Sequence, residues 1–450
     1  MTGEQVGGVA TAPGSATVRR SLAGNKWVIL AILVMMSAGS YMDRTIISLL
    51  VDQIRADLGV SDLQIGLLQG IAFGLFYASA MIPAGWLVDR YSRRNVLLSG
   101  FTFWTFAAAS CGLARNYTQL FLARMGVGAG EATLAPACYS LVADVFRRNQ
   151  LALAISIFAA GSTIGSGIAL GLGGMIVAKT LETGPVVLPL LGEVKPWQLA
   201  FMLTAVLALP LVLLLIWMRE PARSGGSADP ASWRDVFAFM KSRGRVLSVH
   251  FGGFSLLSAA TYGCAAWLPT YFMRHHGMDV ATTGLAVGTV GAIAGITGSP
   301  LSGFIVDRWF GKGCTDAHFR FFLFTGPVIV LITVMGFWVL SIPILAIAVW
   351  GCLHFLWPFG GIAPAFLQLI TPPRLRGRVS GIYVLCVNLC GLAIGPAMVA
   401  ALNEHVFGDP ASIGKAVALT FALLVPLAVL LFATSLGHVR AAVAAASLDD

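Results

Sequence analysis

Charged side chains are scarce in this 450-residue chain, where Asp, Glu, Lys and Arg together make up 11% of the residues. A soluble domain carries about 25% of them. Hydrophobic residues account for 57% of the chain, and the mean hydropathy is +0.83. These values exclude a soluble globular domain and indicate a membrane protein.

Cysteine is sparse, and the common catalytic motifs are missing. The seven cysteines form no Cys-x-x-Cys pair and lie mostly inside apolar runs, so we expect neither a disulfide framework nor a zinc site. We interpret them as small buried hydrophobic residues. Walker A, HExxH and GxSxG patterns are absent as well. The sequence therefore favours a protein that is not an enzyme, is not driven by ATP, and has no metal or cofactor.

The basic excess, a net charge of +9, forms no continuous basic face. We therefore expect no nucleic-acid partner. The basic residues are concentrated in one set of alternate connectors and near both ends of the chain. Because an excess of Lys and Arg marks the cytoplasmic side of a membrane protein, we predict a plasma (inner) membrane protein whose termini and central linker are cytoplasmic.

Twelve apolar segments have about the 20-residue length that crosses a bilayer as a helix. They lie at 27–50, 64–88, 95–114, 118–145, 150–178, 197–218, 246–273, 282–306, 319–340, 343–369, 377–402 and 413–437. No cleavable signal peptide is recognised ahead of them. We predict a disordered cytoplasmic N-terminus, an N-terminal six-helix bundle, a cytoplasmic linker, a C-terminal six-helix bundle and a cytoplasmic tail, at 1–25, 26–218, 219–245, 246–438 and 439–450 respectively.

Three apolar residues of the linker, Trp233, Phe237 and Met240, are spaced three and four residues apart. This spacing predicts a short amphipathic helix that lies on the inner leaflet. A helical linker without a membrane contact fits the spacing equally well.

Two connectors repeat one pattern. GWLVDRYSRR (Gly85–Arg94) follows the second span and GFIVDRWFGK (Gly303–Lys312) follows the eighth, and both read G-x-x-x-D-R. The repeat indicates two six-span halves related by an axis normal to the membrane. A role in fixing the membrane orientation would explain the basic residues of this pattern. It would not explain an acidic residue at the same position in both halves. An Asp there can cap the N-terminus of a facing helix, favoured by the helix dipole.

This pattern resembles the most diagnostic motif of the major facilitator superfamily, although Ser92 stands where the motif usually has glycine. The resemblance covers roughly residues 26–440. It implies an all-α membrane protein with 12 transmembrane helices in two pseudo-symmetric six-helix bundles, and we expect a monomer. The implied gating residues are Gly85, Asp89, Arg90, Arg93, Asp307 and Arg308. In that arrangement Asp89 faces the start of span 11 and Asp307 the start of span 5 whenever the cytoplasmic side is closed.

Four charged residues interrupt the apolar spans: Asp43 and Arg44 in the first, Arg124 and Glu131 in the fourth. Adjacent residues of a helix do not face each other, so Asp43 and Arg44 need partners on another helix. Depth matching pairs Asp43 with Arg124 and leaves Glu131 more loosely with Arg44. A static ion lattice is one interpretation. Because intramembrane ionisable groups more often mark an ion or substrate path, we favour Asp43 and Glu131 as proton-coupling sites. Arg44 and Arg124 would then switch partners or hold an anionic group.

The Asp-Arg pair, the stretch R-x-x-x-G-x-G-E-A (Arg124–Ala132) and SDLQIGLLQGIAFGLFY (Ser61–Tyr77) resemble the spinster branch of that superfamily. The match is strongest over residues 40–150. It implies a bacterial homologue with a lysolipid or sphingoid cargo, in which the four intramembrane charges are the coupling and binding residues.

The second half holds aromatic residues rather than charges inside its spans. Its candidate cavity residues are Tyr262, Trp267, His354 and Trp357. A charged half that faces an aromatic half suits a cargo with a polar head and an apolar tail. Ordinary packing aromatics and a hydrogen-bonded core histidine are the alternative.

Together these features predict a proton-coupled secondary active transporter that works by alternating access, with an amphiphilic lipid as cargo and the lipid bilayer as its surroundings. A carrier of small organic anions or drugs is the alternative. The run Gly161–Gly174 resembles the superfamily's antiporter motif, but Ser166 stands where proline is expected. A membrane receptor or sensor on the same scaffold is the alternative of another class.

Overall fold

The computed structural model describes residues 25–449 apart from 147, 190, 222, 224–231, 341, 357, 358 and 373. Within these residues the chain forms twelve long helical segments, numbered here as spans 1 to 12. Their bounds are Lys26–Leu49, Asp62–Arg90, Arg93–Leu113, Tyr117–Glu131 continued by Leu134–Val145, Arg148–Thr183, Pro196–Trp217, Gly244–His276, Val280–Gly311, Ala317–Val339, Pro343–Ile370, Arg376–Phe407 and Ile413–Asp449.

Ten of these spans are long and apolar enough to cross a membrane on their own composition. The other two are spans 4 and 7. Span 4 is split at Ala132 and Thr133 into two shorter helices, and its first helix carries two buried charges, Arg124 and Glu131. We refer to spans 1–6 as the N half and to spans 7–12 as the C half.

The structure describes the C-terminal end of the chain up to Asp449 but not the N-terminal end. Residues 1–24, predicted to be disordered, lie outside the described residues. Span 12 continues as a helix to Asp449, and Val439, Ala442 and Val443 in its last part are buried. The predicted cytoplasmic tail, which begins at residue 439, thus continues the helix of span 12, and its apolar face packs against the protein.

Three smaller elements join the spans. The helix Val51–Leu58 follows span 1, and an antiparallel hairpin of Val186–Leu188 with Gly192–Val194 joins spans 5 and 6. The helix Trp233–Ser242, called the linker helix here, precedes span 7. The linker helix agrees with the residue spacing in the sequence, whereas the hairpin was not expected.

The connectors define two faces of the molecule. The 1–2 face holds the connector between spans 1 and 2, residues 50–61, and the 2–3 face holds the connector of Tyr91 and Ser92 between spans 2 and 3. Because successive spans alternate in direction, the linker helix lies on the 2–3 face.

Close helix packing joins the two halves, with span 2 against span 11 and span 5 against span 8. A Cβ atom at Gly70 of span 2 would lie 2.5 Å from the carbonyl oxygen of Ala393, and one at Gly288 of span 8 would lie 2.5 Å from that of Gly167. Only glycine fits at such distances. The backbones of both helix pairs are therefore in direct contact.

Polar contacts close the 1–2 face. Arg274 of span 7 donates from Nη1 to Oδ2 of Asp62 at 2.7 Å and from Nε to Oδ1 of Asp52 at 2.8 Å. The Asn403 amide of span 11 donates to the same Asp62 carboxylate at 3.2 Å. The Asp62 and Arg274 side chains are only 4% and 8% exposed. These four residues, called the 1–2 latch here, join the N half to the C half.

The residues of the repeated G-x-x-x-D-R motif lie on the 2–3 face, and no described helix covers them there. Asp89 and Asp307 are exposed, and neither carboxylate has a hydrogen-bond or ion-pair partner in the part of the chain that the structure describes. A Cβ atom at Gly85 or Gly303 would meet no described atom within 4 Å. The structure is therefore closed at the 1–2 face, and its motif residues lack a facing helix at the 2–3 face.

Candidate functional site

A cavity of about 410 Å³ lies between the two halves. Spans 1, 2, 4 and 5 line it on one side, and spans 7, 8, 10 and 11 line it on the other. The predicted site residues on its wall are Arg44, Arg124, Tyr262 and His354.

Span 1 presents one polar face towards span 4. Ser40 and Arg44 are four residues apart and so point the same way, and both donate to Oε1 of Glu131, with Arg44 Nε at 2.7 Å. Glu131 is 2% exposed and is the last residue before the break in span 4. The predicted pairing of Arg44 with Glu131 is therefore present as a direct, buried contact.

Aromatic rings hold the Arg44 side chain in place. Its guanidinium carbon lies 5.0 Å from the ring centroid of Tyr41, and 4.7 Å from those of Phe73 and Tyr77. The Arg124 guanidinium lies 5.5 Å from the Phe73 ring. Cation–π contacts of this kind are strongest where water is excluded. Phe73 thus stands beside both arginines, and the Arg44 side chain is still 14% exposed.

Asp43 points away from this contact. Its carboxylate lies beside Thr204 of span 6 and Trp104 of span 3, and the residue is 3% exposed. Arg124 donates from Nη1 to the main-chain carbonyl of Asp43 at 3.1 Å, while no described basic group lies within 4 Å of the Asp43 carboxylate.

The predicted order of the two ion pairs is therefore wrong. Arg44 and Glu131 form the tight pair, and Arg124 reaches only the backbone of Asp43. The physical reason is rotation about the axis of span 1. The Asp43 side chain is turned into the N half, so its carboxylate feels the charge of Arg124 but forms no ion pair with it within 4 Å.

Several buried polar atoms around the cavity have no hydrogen-bond partner among the described residues. They are Glu131 Oε2, Arg124 Nε and Gln69 Nε2. Gln69 and Arg124 line the cavity, and Gln69 is 9% exposed. Because a buried polar atom without a partner is costly, these atoms are candidates for contacts with a ligand or a proton.

The C half supplies a less polar wall. Tyr262 of span 7 and His354 of span 10 line the cavity, together with Trp350. His354 Nδ1 lies 3.0 Å from the carbonyl oxygen of Trp350, which can only accept, so Nδ1 carries the proton. In the neutral ring the other nitrogen, Nε2, is then unprotonated and can accept a hydrogen bond.

Two of the aromatic candidates are not placed on the wall. Trp267 is fully buried and donates from Nε1 to the carbonyl oxygen of Pro396 at 2.9 Å. The expectation that it lines the cavity is wrong, because its ring lies on the face of span 7 that packs against span 11. Trp357 lies outside the described residues.

The gating residues of the motif fall into two groups. Asp89, Arg90, Asp307 and Arg308 are exposed on the 2–3 face, and Leu375, the residue that precedes span 11, makes no side-chain cap. The Asp89 carboxylate has no hydrogen-bond partner among the described residues and therefore does not cap span 11 in this conformation. The predicted contact of Asp307 falls at the start of span 5, next to residue 147, which lies outside the described residues.

Arg93 differs from the other gating residues because it is 1% exposed. It forms ion pairs with Asp144 at the end of span 4 and with Glu220 after span 6. Burial tends to raise the pKa of Glu220, but hydrogen bonds from Ser92 and Arg93 hold it below its usual range. Arg93 thus ties three elements of the N half together and does not bridge the two halves.

The residues missed by sequence reasoning are Ser40, Gln69, Phe73, Tyr77 and Trp350. Gln69, Phe73 and Tyr77 are four residues apart on span 2. That spacing, with one polar residue in an apolar span, is a signal that could have found this face. Ser40 carried a similar signal, four residues before Arg44.

Comparisons with known proteins agree with this architecture. The family model of the Major Facilitator Superfamily matches residues 33–396. A solved bacterial homologue of the human lysosomal transporter spinster, in an inward-facing and unoccupied conformation, superposes with a TM-score of 0.75 at 21% identity, covering 93% of this chain and 97% of that one.

Three curated proteins are similar to this chain in sequence. "Protein spinster" of Drosophila melanogaster is 24% identical over 432 residues, covering 89% of this chain and 67% of its own. "Protein spinster homolog 1" of Xenopus tropicalis is 32% identical over 259 residues, or 55% of this chain and 45% of its own. The "Probable L-galactonate transporter" of Escherichia coli (strain K12) is 29% identical over 322 residues, or 67% of this chain and 66% of its own. The chain thus spans about half to two thirds of the length of these relatives.

A helical membrane protein built from two similar halves around a central cavity is a carrier-type protein, and this chain belongs to the Major Facilitator Superfamily. Within that superfamily it is similar to spinster proteins. The predicted architecture of 12 transmembrane helices is confirmed.

Proposed function

We propose that this chain is a proton-coupled secondary active transporter that works by alternating access. The contact between Arg44 and Glu131 carries the proposal. Arg44 borders the cavity, whereas the Glu131 side chain behind it is 1% exposed. An anionic group of the cargo that draws Arg44 into the cavity leaves Glu131 without its cation. A buried carboxylate without a cation binds a proton more readily, so one arginine links cargo binding to proton binding.

Asp43 is the second proposed proton site. Its carboxylate is enclosed between spans 3 and 6, and only the main chain of Asp43 contacts Arg124. A proton bound at Asp43 removes a buried charge that has no ion-pair partner within 4 Å among the described residues. Arg124 Nε, which is buried without a partner, is then available to an anionic group.

The contacts between the halves support alternating access. The 1–2 latch and the backbone contacts of spans 2 and 11 hold one face closed, while Asp89, Asp307, Gly85 and Gly303 are uncovered on the other face. Closing the 2–3 face would cover these residues and break the latch. We assign the 2–3 face to the cytoplasm of a monomer in a plasma (inner) membrane, because basic residues are concentrated in its connectors.

An amphiphile such as a lysolipid or a sphingoid lipid is the proposed cargo. Arg44 and Gln69 on the N-half wall can bind a polar head, and Tyr262 and Trp350 on the C-half wall can pack against an apolar tail. The similarity to spinster proteins supports this choice of cargo, because the spinster resemblance is what implies a lysolipid or sphingoid cargo.

Small organic anions are the second candidate cargo. Ser162, Thr163 and Ser166 of span 5 line the same cavity as the two arginines, and hydroxyl groups suit a hydroxylated acid better than a hydrocarbon chain. The resemblance to a probable L-galactonate transporter supports this alternative.

Transport into liposomes under an imposed pH gradient tests both proposals. The purified protein is assayed with lysolipids, sphingoid amines, sugar acids and lipophilic drugs. We expect gradient-driven uptake of an amphiphile and its loss in Glu131→Gln, while exchange of cargo between the two sides continues without a gradient. Proton coupling is excluded if Asp43→Asn and Glu131→Gln both keep gradient-driven uptake. Uptake of sugar acids alone would replace the lipid cargo with the second candidate.

A further inference from the structure

The linker helix has two apolar faces rather than one. Val236 is fully buried, and Phe239 and Met240 pack against the core of the protein. Trp233 and Phe237, one turn apart, remain 52% and 62% exposed, and their ring centroids are 6.1 Å apart. The predicted face of Trp233, Phe237 and Met240 is thus divided, because Met240 packs against the core whereas more than half of the Trp233 and Phe237 side chains stays exposed.

Charge is distributed unevenly around these two rings. Arg234 and Lys241 are both exposed, and since they are seven residues apart they share one side of the helix. Viewed along the helix axis, Arg234 lies about 100° from Trp233, so the basic side is next to the exposed aromatic side. Asp235 projects to the opposite side, about 200° from Trp233. The exposed aromatic edge is therefore flanked by cations and faces away from the only acid of the helix.

A third cation comes from span 11. The guanidinium carbon of Arg378 lies 4.7 Å from the Trp233 ring centroid. Its Nη1 atom is buried and has no hydrogen-bond partner among the described residues. The linker helix and the start of span 11 are in contact there. The Arg378 guanidinium, which is held against the indole ring, therefore keeps an N–H group that can donate a charge-assisted hydrogen bond to a phosphate oxygen.

We propose that the linker helix and the start of span 11 form a binding site for an anionic phospholipid. Trp233 and Phe237 enter the boundary between headgroups and acyl chains, where aromatic side chains are preferred. Arg234, Lys241 and Arg378 contact the phosphate and the negative surface of the leaflet. Because Arg378 belongs to span 11, the bound lipid contacts both the linker and a helix that borders the cavity. The site is independent of the identity of the transported cargo.

Direct lipid binding tests this site. The purified full-length protein in a neutral detergent is titrated with phosphatidylglycerol or phosphatidylcholine, and bound lipid is counted by native mass spectrometry. We expect preferential retention of phosphatidylglycerol. Each basic side chain near an anionic surface contributes about a fivefold preference, so Arg234→Gln/Lys241→Gln should weaken the apparent affinity by about 25-fold. Arg378→Gln should weaken it by about fivefold, with binding largely retained in Arg378→Lys.

Matched variants separate this site from general effects. Arg115→Gln/Lys179→Gln removes the same charge from exposed positions on the 1–2 face, and it should bind phosphatidylglycerol as the unmodified protein does. Phe103→Ala/Phe106→Ala removes two exposed aromatic rings of span 3 and serves as the control for Trp233→Ala/Phe237→Ala. Equal binding of both lipids, unchanged binding in Arg234→Gln/Lys241→Gln, or full displacement of the lipid by inorganic phosphate would overturn the proposal.

Discussion

Arg44 and Glu131 stand 87 residues apart in the chain, yet Arg44 Nε lies 2.7 Å from Glu131 Oε1 in the middle of the membrane-spanning bundle. The hydroxyl of Ser40 donates to the same carboxylate oxygen. The second oxygen, Oε2, has no partner among the described residues. One carboxylate oxygen of Glu131 thus accepts hydrogen bonds from two residues, while the other oxygen accepts none from the described residues.

This contact predicts coupled effects on stability. Removing one partner of a buried ion pair costs about 3–5 kcal/mol, so Arg44→Gln and Glu131→Gln should each lower the thermal unfolding midpoint in detergent. The double variant should lose less stability than the losses of the two single variants added together. Lys179→Gln is the control, because Lys179 and Glu182 are 78% and 68% exposed and such pairs contribute about 0–1 kcal/mol. Strictly additive losses would contradict a direct interaction.

Trp267 and Tyr262 should respond differently to substitution by phenylalanine. Trp267→Phe removes the hydrogen bond that the indole donates to the Pro396 carbonyl oxygen, which should cost about 0.5–1.5 kcal/mol of stability and leave cargo affinity unchanged. Tyr262→Phe removes a hydroxyl at the cavity wall and should weaken cargo binding with little loss of stability. Thermal unfolding and cargo binding measured on the same preparations separate the two effects. Weaker binding without destabilisation in Trp267→Phe would contradict its buried position.

The 1–2 latch should set the balance between the two conformations. Hydrogen bonds to charged groups contribute about 1.5–3 kcal/mol each, so Arg274→Gln should increase the population open at the 1–2 face by about tenfold or more. Spin labels at Ala56 and Asp409, in a cysteine-free background, report the distance between the halves at this face. Lys179→Gln, on the same face outside the latch, should leave the distance distribution unchanged. An unaltered distribution in Arg274→Gln would show that helix packing alone keeps this face closed.

Two glycines of span 2 should show opposite behaviour. Gly70→Ala places a Cβ atom 2.5 Å from the Ala393 carbonyl oxygen, so it should separate spans 2 and 11 and open the 1–2 face. Gly85→Ala meets no described atom within 4 Å and should leave the present conformation as stable as before. If Gly85 packs against a helix when the 2–3 face closes, Gly85→Ala should still slow transport. Unfolding midpoints and initial uptake rates distinguish these outcomes, and normal uptake in Gly85→Ala would remove the gating role.

A buried acid outside the spans predicts a pH-dependent contribution. Asp316 is 1% exposed and accepts hydrogen bonds from Arg440 Nε at 2.7 Å and Arg320 Nη2 at 3.0 Å. Burial tends to raise its pKa, but hydrogen bonds from Cys314, Arg440 and Arg320 hold it below the ordinary value of 3.8. A lowered pKa in the folded state means that the stabilisation is complete above pH 3.8 and is lost as the pH falls through the lower, folded-state value.

Asp316→Asn should therefore lower the unfolding midpoint at pH 7, and its difference from the unmodified protein should shrink as the pH approaches 3. Glu193→Gln, at an exposed position of the hairpin, is the control and should show no such trend. A deficit of Asp316→Asn that stays constant down to pH 3 would mean that the charge of Asp316 is not what stabilises this contact.

Much of this fold was predictable because it depends on local properties of the chain. Apolar segments of membrane-crossing length mark the spans, and the repeated G-x-x-x-D-R pattern marks the two halves. The four intramembrane charges were identifiable as a site because each is costly in a bilayer. The positions of Gln69 and Phe73 at the cavity could not be predicted, because a single polar or aromatic residue in a span has many structural explanations.

What the sequence determined by itself is the class of membrane protein, its twelve spans and the presence of four charges inside spans 1 and 4. These follow from composition and from the rise of a helix, which are fixed residue by residue. Only the tertiary structure decided that Glu131 pairs tightly with Arg44, that Asp43 faces Thr204 and Trp104, and that Trp267 packs against span 11. Those relationships depend on how each helix is rotated and on where span 4 breaks. Rotation and helix breaks are set by packing between distant segments and leave no local signal in the chain.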